Sequence, residues 1–359
     1  MSLIAILDTY VNPRCIGNKP VSHINLCNSE TNNFCDEISH GSLCAMVLNK
    51  CADNYELLNI QIFSDITDAR STEIELLVNA LALCEELCVD IVSLSAVSSI
   101  LTDSMQLYNV TRELSKSAVI VSALSNSRYV TVPTSYPHVL GVSHDLSSTL
   151  QPGEVATVTE NALGVDLYAN CDFEFLRELG YAQSNSFAVP VAVAHINGLL
   201  NRGYTTSDVM PLIRQKQGGI LHEYLHFPVR FSTEEIPVVF IADDTTDFCR
   251  SLMDDFYNKH ETQSAALSFV KTTYDVRVMS ANGNESIQEN VRFMERHYKT
   301  DIIFIVGNSS ILTSVQNDVD IDIVVCRSTN NLFRLEYEDV VEIIGSDTIS
   351  ERLHEILTI

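Results

Sequence analysis

Short, almost fully apolar runs alternate along the chain with longer segments whose apolar residues recur at helical spacing. In the first half, the runs that predict buried strands are LIAILD at 3–8, LLNIQIF at 57–63, VDIVSLS at 89–95 and SAVIVSAL at 117–124. Helical spacing covers 40–50 and 71–88, where TEIELLVNALALCEEL is the clearest amphipathic segment. Apolar strands separated by helices predict an α/β fold, with a parallel sheet covered by helices on both faces.

A second alternation follows a polar, proline-punctuated stretch near 226–237. It reads as the strand PVVFIA, the helices TTDFCRSLMDDFYNKH and IQENVRFMERHY, the strands DIIFIVG and DIDIVVC, and the closing helix SDTISERLHEIL. We therefore expect two domains, 1–226 and a smaller α/β domain at 236–359 that is P-loop-like or flavodoxin-like. This second domain lacks G-x-x-x-x-G-K-[ST], and Asp243, Asp244 and Asp247 would repel phosphate. We expect it to serve recognition or dimerisation without a nucleotide.

Composition excludes several classes of function. The net charge of −25 argues against nucleic-acid binding, which needs a basic face. No basic segment precedes the first apolar run, and no run reaches the roughly 18 to 20 apolar residues of a membrane span. We expect a soluble cytoplasmic protein, and therefore expect its 10 cysteines to be reduced. No C-x-x-C pair is present, so we expect no metal site.

Three residues with nucleophilic, basic and acidic side chains stand at predicted element ends. Asp8 ends the first strand, His40 begins a helix immediately before Gly41, and Ser186 opens the helix of QSNSFAVPVAVAHINGLL. Each alone has an ordinary explanation: a turn aspartate, a surface histidine and a polar residue at a helix start. Together they supply an acid, a base and a nucleophile in one chain order.

These residues resemble the motifs of the subtilisin-like serine peptidases, which use the order Asp, His, Ser. IAILDTY around Asp8 is similar to the aspartate motif, SHGSLCAMV around His40 to the histidine motif, and SNSFAVP around Ser186 to the serine motif. VDIVSLSAVS resembles the strand that lines the substrate cleft, AVIVSALSNS the strand that ends in the oxyanion-hole asparagine, and SYPHVLGVS the segment that follows it. The resemblance covers roughly residues 1–225.

The resemblance implies a role for each matched residue. Ser186 would attack the scissile carbonyl, His40 would carry its proton to the leaving amine, and Asp8 would orient the imidazole. The side chain of Asn126, with the backbone N–H of Ser186, would bind the oxyanion. The expected substrate-binding residues are Ser95, Ala96, Val97 and Ser125.

The chain departs from the family motifs at several glycines. Ser184, Ser125 and Val97 stand where the family has glycine, and Ser42 and Leu43 replace threonine and histidine after His40. Two interpretations follow: an active serine endopeptidase, or a catalytically impaired module that binds a precursor peptide for a partner enzyme. If Val97 and Ser125 line the first specificity pocket, their added volume favours small residues at the cleavage position.

Two further features favour processing inside the cell. The candidate aspartate is residue 8, so we expect no folding propeptide before it, and no calcium loop of the D-x-[DN]-x-[DN]-G type is present. By analogy within the family, this predicts removal of a leader from a precursor peptide, without a cofactor. The expected partners are a peptide or protein substrate and, through the C-terminal domain, a second copy or a maturation enzyme.

Overall fold

The computed structural model describes residues 1–27, 38–64, 74–158, 163–215, 236–281, 285–329 and 332–357. Contacts divide the chain into two compact units, one of Met1–Ser98 with Asp103–Phe227 and one of Ser99–Thr102 with Pro228–Ile359. Most of the predicted boundary stretch near 226–237 lies outside the described residues. Within the part of the chain described, no helix combines the length and apolar character needed to cross a membrane.

The first unit is a sheet of eight strands with six helices among its described residues. Its strands are β1 Ser2–Asp8, β2 Val21–Asn25, β3 Tyr55–Gln61, β4 Ile91–Leu94, β5 Val119–Ala123, β6 Leu140–His144, β7 Val155–Thr157 and β8 Val165–Ala169. Its helices are α1 His40–Cys51, α2 Ile74–Glu86, α3 Ser104–Leu114, α4 Glu174–Glu178, α5 Asn185–Asn201 and α6 Thr206–Gln215.

The strand order β2-β3-β1-β4-β5-β6-β8-β7 places β1 inside the sheet. All neighbouring pairs are parallel except β7 with β8. Because parallel strands all end at the same edge, the residues that follow β1, β4 and β5 come together there. This edge holds Asp8, Ser95 and Asn126.

The two faces of the sheet carry different packing partners because side chains alternate along each strand. Ile4 and Ile6 of β1 belong to one core cluster with residues of α1, α5 and α6, whereas the alternate residues Ala5 and Leu7, which are also buried, do not. Helix α5 is apolar almost all round, as expected for a helix enclosed by other elements. It packs directly beneath the edge where the candidate residues meet.

The second unit is a sheet of seven strands with four described helices. The elements are β9 Val238–Ala242, α7 Asp247–His260, β10 Ser264–Ser268, β11 Val278–Ser280, α8 Ile287–His297, β12 Ile302–Gly307, α9 Leu312–Asp318, β13 Ile323–Thr329, β14 Leu332–Tyr337, β15 Val340–Gly345 and α10 Ile349–Leu357. The order is β11-β10-β12-β9-β13-β14-β15; the first five strands are parallel, β14 is antiparallel to β13, and β15 is antiparallel to β14.

The predicted α/β fold class is confirmed, since both units are largely parallel sheets flanked by helices. The sequence prediction omitted strands β2, β6, β7 and β8 in the first unit, and β10, β11 and the β14–β15 hairpin in the second. Most of these strands are short or lie towards the edges of their sheets.

Candidate active site

Asp8 is the last residue of β1, and its carboxylate is almost completely buried, at 1% exposure. It accepts hydrogen bonds from the backbone N–H of Thr9 at 2.7 Å and from its hydroxyl at 3.3 Å. The Nδ1 atom of His40 lies 2.9 Å from both carboxylate oxygens. A carboxylate is only an acceptor, so Nδ1 carries a proton and the imidazole is fixed in one orientation.

His40 is the first residue of α1, and the residues beside it explain its position. Ser39 caps the helix by accepting a hydrogen bond from the backbone N–H of Ser42 at 3.1 Å. The N–H of Gly41 donates to the Thr9 hydroxyl at 2.7 Å, and a Cβ at Gly41 would lie 2.4 Å from the Thr9 carbonyl oxygen. The glycine therefore lets the start of α1 approach the end of β1, which brings His40 to Asp8.

The electrostatics of this pair favour the charged imidazole. Burial opposes protonation of His40, but the negative charge of Asp8, the electrostatic contribution of Cys44 and the hydrogen bonds to both side chains outweigh it and raise the His40 pKa above 6.5. The ring also stacks on Phe187 of α5, with the ring centroids 5.5 Å apart. The Asp8–His40 pair is thus held against the helix that carries Ser186.

Ser186 is the second residue of α5, where backbone N–H groups lack helical partners. The N–H of Asn185 donates to the side-chain oxygen of Asn126 at 3.1 Å, and that of Phe187 donates to the capping hydroxyl of Ser184 at 3.4 Å. Within the described residues, the N–H and hydroxyl of Ser186 have no hydrogen-bond partner. The backbone N–H of the candidate nucleophile is therefore an unpaired donor in the first turn. The Ser186 hydroxyl, however, is not hydrogen-bonded to His40.

The carbonyl of Ser186 also lacks a helical donor, because the residue four positions later is Pro190 and proline has no N–H. This carbonyl oxygen instead lies 3.7 Å from the Cys44 sulfur and accepts a hydrogen bond from the Ser95 hydroxyl at 3.5 Å. Cys44 is one helical turn after His40, and its sulfur is 3.9 Å from His40 Nδ1 and 3.9 Å from an Asp8 oxygen. Cys44 thus contacts both the Asp8–His40 pair and the Ser186 backbone.

Asn185 joins the ends of β5 and β6 to the start of α5. Its side-chain oxygen accepts from the Ser143 hydroxyl at 3.1 Å, the His144 backbone N–H at 2.9 Å and His144 Nδ1 at 2.7 Å. Its amide nitrogen donates to the carbonyls of Leu124 and Ser125 at 2.9 Å and 3.2 Å. Because its own backbone N–H binds the Asn126 oxygen, Asn185 holds the loop that carries the candidate oxyanion residue.

The other predicted residues have differing surroundings. Ser95 reaches the Ser186 carbonyl, and Ala96 is buried directly after it. Val97 is half-buried, and Ser125 is half-buried with its hydroxyl accepting from the Ser127 N–H at 3.2 Å. Asn126 is exposed, and since a backbone N–H occupies its oxygen, its NH₂ group remains as a donor.

A cleft of about 610 Å³ lies along the turn that precedes the Ser186 helix. Its walls come from the segments after β6, around α4 and before α5: His144, Asp145, Leu146, Ser148, Asp172, Arg177, Gly180, Tyr181, Ala182 and Gln183. Asp172 and Arg177 form an ion pair at 2.5 Å on this wall. None of the substrate-binding residues predicted from the sequence lines this cleft.

The residues that the sequence analysis missed are Cys44 and Asn185, together with the cleft lining. The position of Cys44 one helical turn after His40 was a usable signal, since residues four apart share a helix face. Nothing in the sequence pattern identified the partners of Asn185, because they come from strands distant in the chain.

No protein-family model and no curated protein matches the chain. Among solved structures, it is similar to the epidermin leader peptide processing serine protease EpiP from Staphylococcus aureus, with 16% identity, a TM-score of 0.45, and 62% of this chain and 71% of that chain covered. It is also similar to a lanthipeptide protease (11% identity, TM-score 0.42, 59% and 78% covered) and to the prenylagaramide maturation protease PagA (15%, 0.40, 58% and 80%). At such low identities and TM-scores, the likeness assigns no role to any residue of this chain.

Proposed function

We propose that this chain is a serine endopeptidase that cleaves a peptide or protein precursor, with Ser186 as nucleophile, His40 as general base and Asp8 as the orienting carboxylate. The observation that carries the proposal is the buried contact of Asp8 with His40 Nδ1 at 2.9 Å, held against the start of the helix that bears Ser186. A buried, oriented imidazole beside a serine at a helix N-terminus is the arrangement that nucleophilic acyl transfer requires.

In the proposed reaction, Ser186 Oγ attacks the scissile carbonyl while the neutral form of His40, whose share increases with pH because the His40 pKa is raised, takes the hydroxyl proton on Nε2. The proton then passes from Nε2 to the leaving amine as the C–N bond breaks, and water repeats the sequence to release the acyl group. Nδ1 keeps its own proton throughout and donates it in a hydrogen bond to the Asp8 carboxylate. The required contact between Oγ and Nε2 is absent in the structure, and we expect substrate binding and rotation of the serine side chain to form it.

The oxyanion would accept hydrogen bonds from the Ser186 N–H and the Asn126 NH₂ group. The hydrogen bonds in the first turn of α5 support this proposal. The N–H groups of Asn185 and Phe187 already have acceptors, so the Ser186 N–H between them is the donor that remains available. The backbone N–H of Asn185 occupies the side-chain oxygen of Asn126, so the side-chain NH₂ group of Asn126 is the end that can bind the oxyanion. Loss of such a side-chain donor lowers turnover by about 10²–10³.

The proposed substrate class is a precursor from which a leader is removed, which follows from the resemblance of the sequence. The cleft beside the turn before Ser186 has the volume of a typical ligand site and carries both charged and aromatic side chains. Val97 and Ser125 are proposed to restrict the residue at the cleavage position to small side chains. A peptide library tests this restriction, and a preference for Phe or Arg at that position contradicts it.

Labelling with a fluorophosphonate tests the nucleophile directly, because the reagent phosphonylates only activated serines. We expect the wild-type chain to be labelled and both Ser186→Ala and His40→Ala to lose the label. Ser207→Ala, which removes an exposed hydroxyl on α6, is the control and should be labelled like the wild type. A folded wild-type chain that takes no label contradicts the peptidase and leaves the precursor-binding module as the function to test.

A further inference from the structure

Asp8, His40 and Cys44 offer an oxygen, a nitrogen and a sulfur atom that all lie within 4.8 Å of one another. The sulfur is 3.9 Å from both other atoms, which are themselves 2.9 Å apart. We propose that these three side chains form a binding site for a thiophilic divalent cation of the zinc type, and that metal binding reversibly blocks the peptidase. This differs from the expectation, drawn from the absence of C-x-x-C pairs, that the chain has no metal site.

The distances suit a small tetrahedral ion. Zinc binds sulfur at about 2.3 Å and nitrogen or oxygen at about 2.0–2.1 Å, so tetrahedral angles place ligand atoms about 3.3–3.5 Å apart. The sulfur contacts are somewhat longer and the nitrogen–oxygen contact somewhat shorter than this. The differences amount to a few tenths of an ångström, so small side-chain shifts would bring the three atoms to tetrahedral spacing.

The chemistry of the donors selects the ion. A thiolate and an imidazole favour zinc and similar transition metals, whereas calcium and magnesium prefer oxygen ligands alone. The Ser186 carbonyl oxygen, which lacks a helical donor because of Pro190, is 3.7 Å from the sulfur. This oxygen or a water molecule supplies the fourth ligand.

Metal binding would disable the proposed mechanism, and this part of the inference rests on the proposed function. Coordination requires a deprotonated sulfur and a free lone pair on His40 Nδ1, so the neutral imidazole then carries its remaining proton on Nε2. An Nε2 atom that carries a proton cannot accept one from Ser186. The ion also takes Asp8 from the imidazole that it orients.

Cobalt(II) added to the reduced chain of 359 residues tests the site without any need for activity. We expect one equivalent to give a sulfur-to-cobalt charge-transfer band and the visible bands of a four-coordinate ion, with zinc displacing the cobalt. Cys44→Ser should lose the charge-transfer band. The matched control Cys84→Ser, which alters a fully buried cysteine on α2, should keep it. No band in the wild type, or an undiminished band in Cys44→Ser, overturns the site.

A second variant keeps the test decisive if Cys44→Ser does not fold. His40→Gln removes the imidazole ligand from a less buried position and should weaken cobalt binding at least about tenfold. Unchanged affinity in His40→Gln overturns the site.

Inhibition is measured separately, as the rate of fluorophosphonate labelling with and without zinc. We expect zinc to slow labelling and a chelator to restore it. Cobalt binding without any labelling contradicts the proposed function and supports the metal site. Labelling that is insensitive to zinc, in a chain that binds cobalt through Cys44, overturns the regulatory part.

Discussion

The side chain of Asn185 makes five hydrogen bonds that tie together three separate elements, and its removal should weaken both stability and catalysis. Asn185→Ala leaves the carbonyls of Leu124 and Ser125 and the donors of Ser143 and His144 without this partner. A hydrogen bond contributes about 1 kcal/mol net, and some of these groups can regain water. We therefore expect the free energy of unfolding to fall by about 3 kcal/mol.

Helix α5 itself offers a matched control. Asn197 is buried like Asn185, but its side chain makes a single hydrogen bond among the described residues, from Nδ2 to the Asp53 carbonyl at 2.7 Å, and its oxygen is unpaired. Asn197→Ala should therefore cost about 1 kcal/mol. Both variants remove the same atoms from the same helix, so the difference between them isolates the network.

Thermal unfolding of the full chain measures the difference. For a unit of this size, about 3 kcal/mol corresponds to a fall in Tm of roughly 6–12 °C, against roughly 2–4 °C for Asn197→Ala. The rate of fluorophosphonate labelling, measured well below both midpoints, should fall at least about tenfold in Asn185→Ala alone, because the loop of Asn126 loses its anchor. Equal effects of the two substitutions on Tm would refute the claim that Asn185 holds these elements together.

Four further predictions concern the site and the second unit. Since the pKa of His40 is raised above 6.5, labelling should increase with pH to a half-maximum above that value, and Asp8→Asn should lower both the midpoint and the maximal rate. The same shift predicts that the stabilisation from the pair is complete below pH 6.5 and is lost as the pH rises through the folded-state pKa, so the Tm difference between wild type and His40→Ala should shrink in alkaline buffer. Gly41→Ala should cost about 1–3 kcal/mol because its Cβ meets the Thr9 carbonyl at 2.4 Å, whereas Gly198→Ala, with open space around it in α5, should stabilise the chain by up to about 1 kcal/mol in urea unfolding. ATP or GTP with magnesium should leave the Tm unchanged, since carboxylates follow the first strand of the second unit, and a rise would contradict the expectation that it binds no nucleotide.

Much of the architecture could be predicted because the central strands of a parallel α/β sheet form continuous apolar runs that are easy to recognise in a sequence. Strands buried on both faces are apolar throughout, and their common direction puts the residues after each strand at one edge. The structure places Asp8, Ser95 and Asn126 at this edge, but the sequence analysis singled out Ser95 and Asn126 only through the resemblance to the subtilisin-like peptidases.

The omitted strands have weaker signals for physical reasons. Strand β10, SAALS, consists of small residues that serve equally well in a helix. In the β14–β15 hairpin, burial alternates along β14, where Phe333 and Leu335 are buried while Leu332 and Arg334 are exposed, and no residue of β15 is buried. Such half-exposed edge strands lack the continuous apolar run that identifies the central ones.

Most contacts that complete the site join residues that are distant in the chain, and no local sequence pattern specifies them. The contacts of the Ser186 carbonyl are an exception, because they follow from the proline at position 190. Pro190 cannot donate the helical hydrogen bond that the Ser186 carbonyl would otherwise accept, so that oxygen turns to Cys44 and Ser95. The helix continues through Pro190 because its buried apolar residues pack against the surrounding elements. Because this one N–H is missing, the backbone carbonyl of the proposed nucleophile is available to other donors. Through it, the strand end at Ser95 and the helix of His40 both contact Ser186.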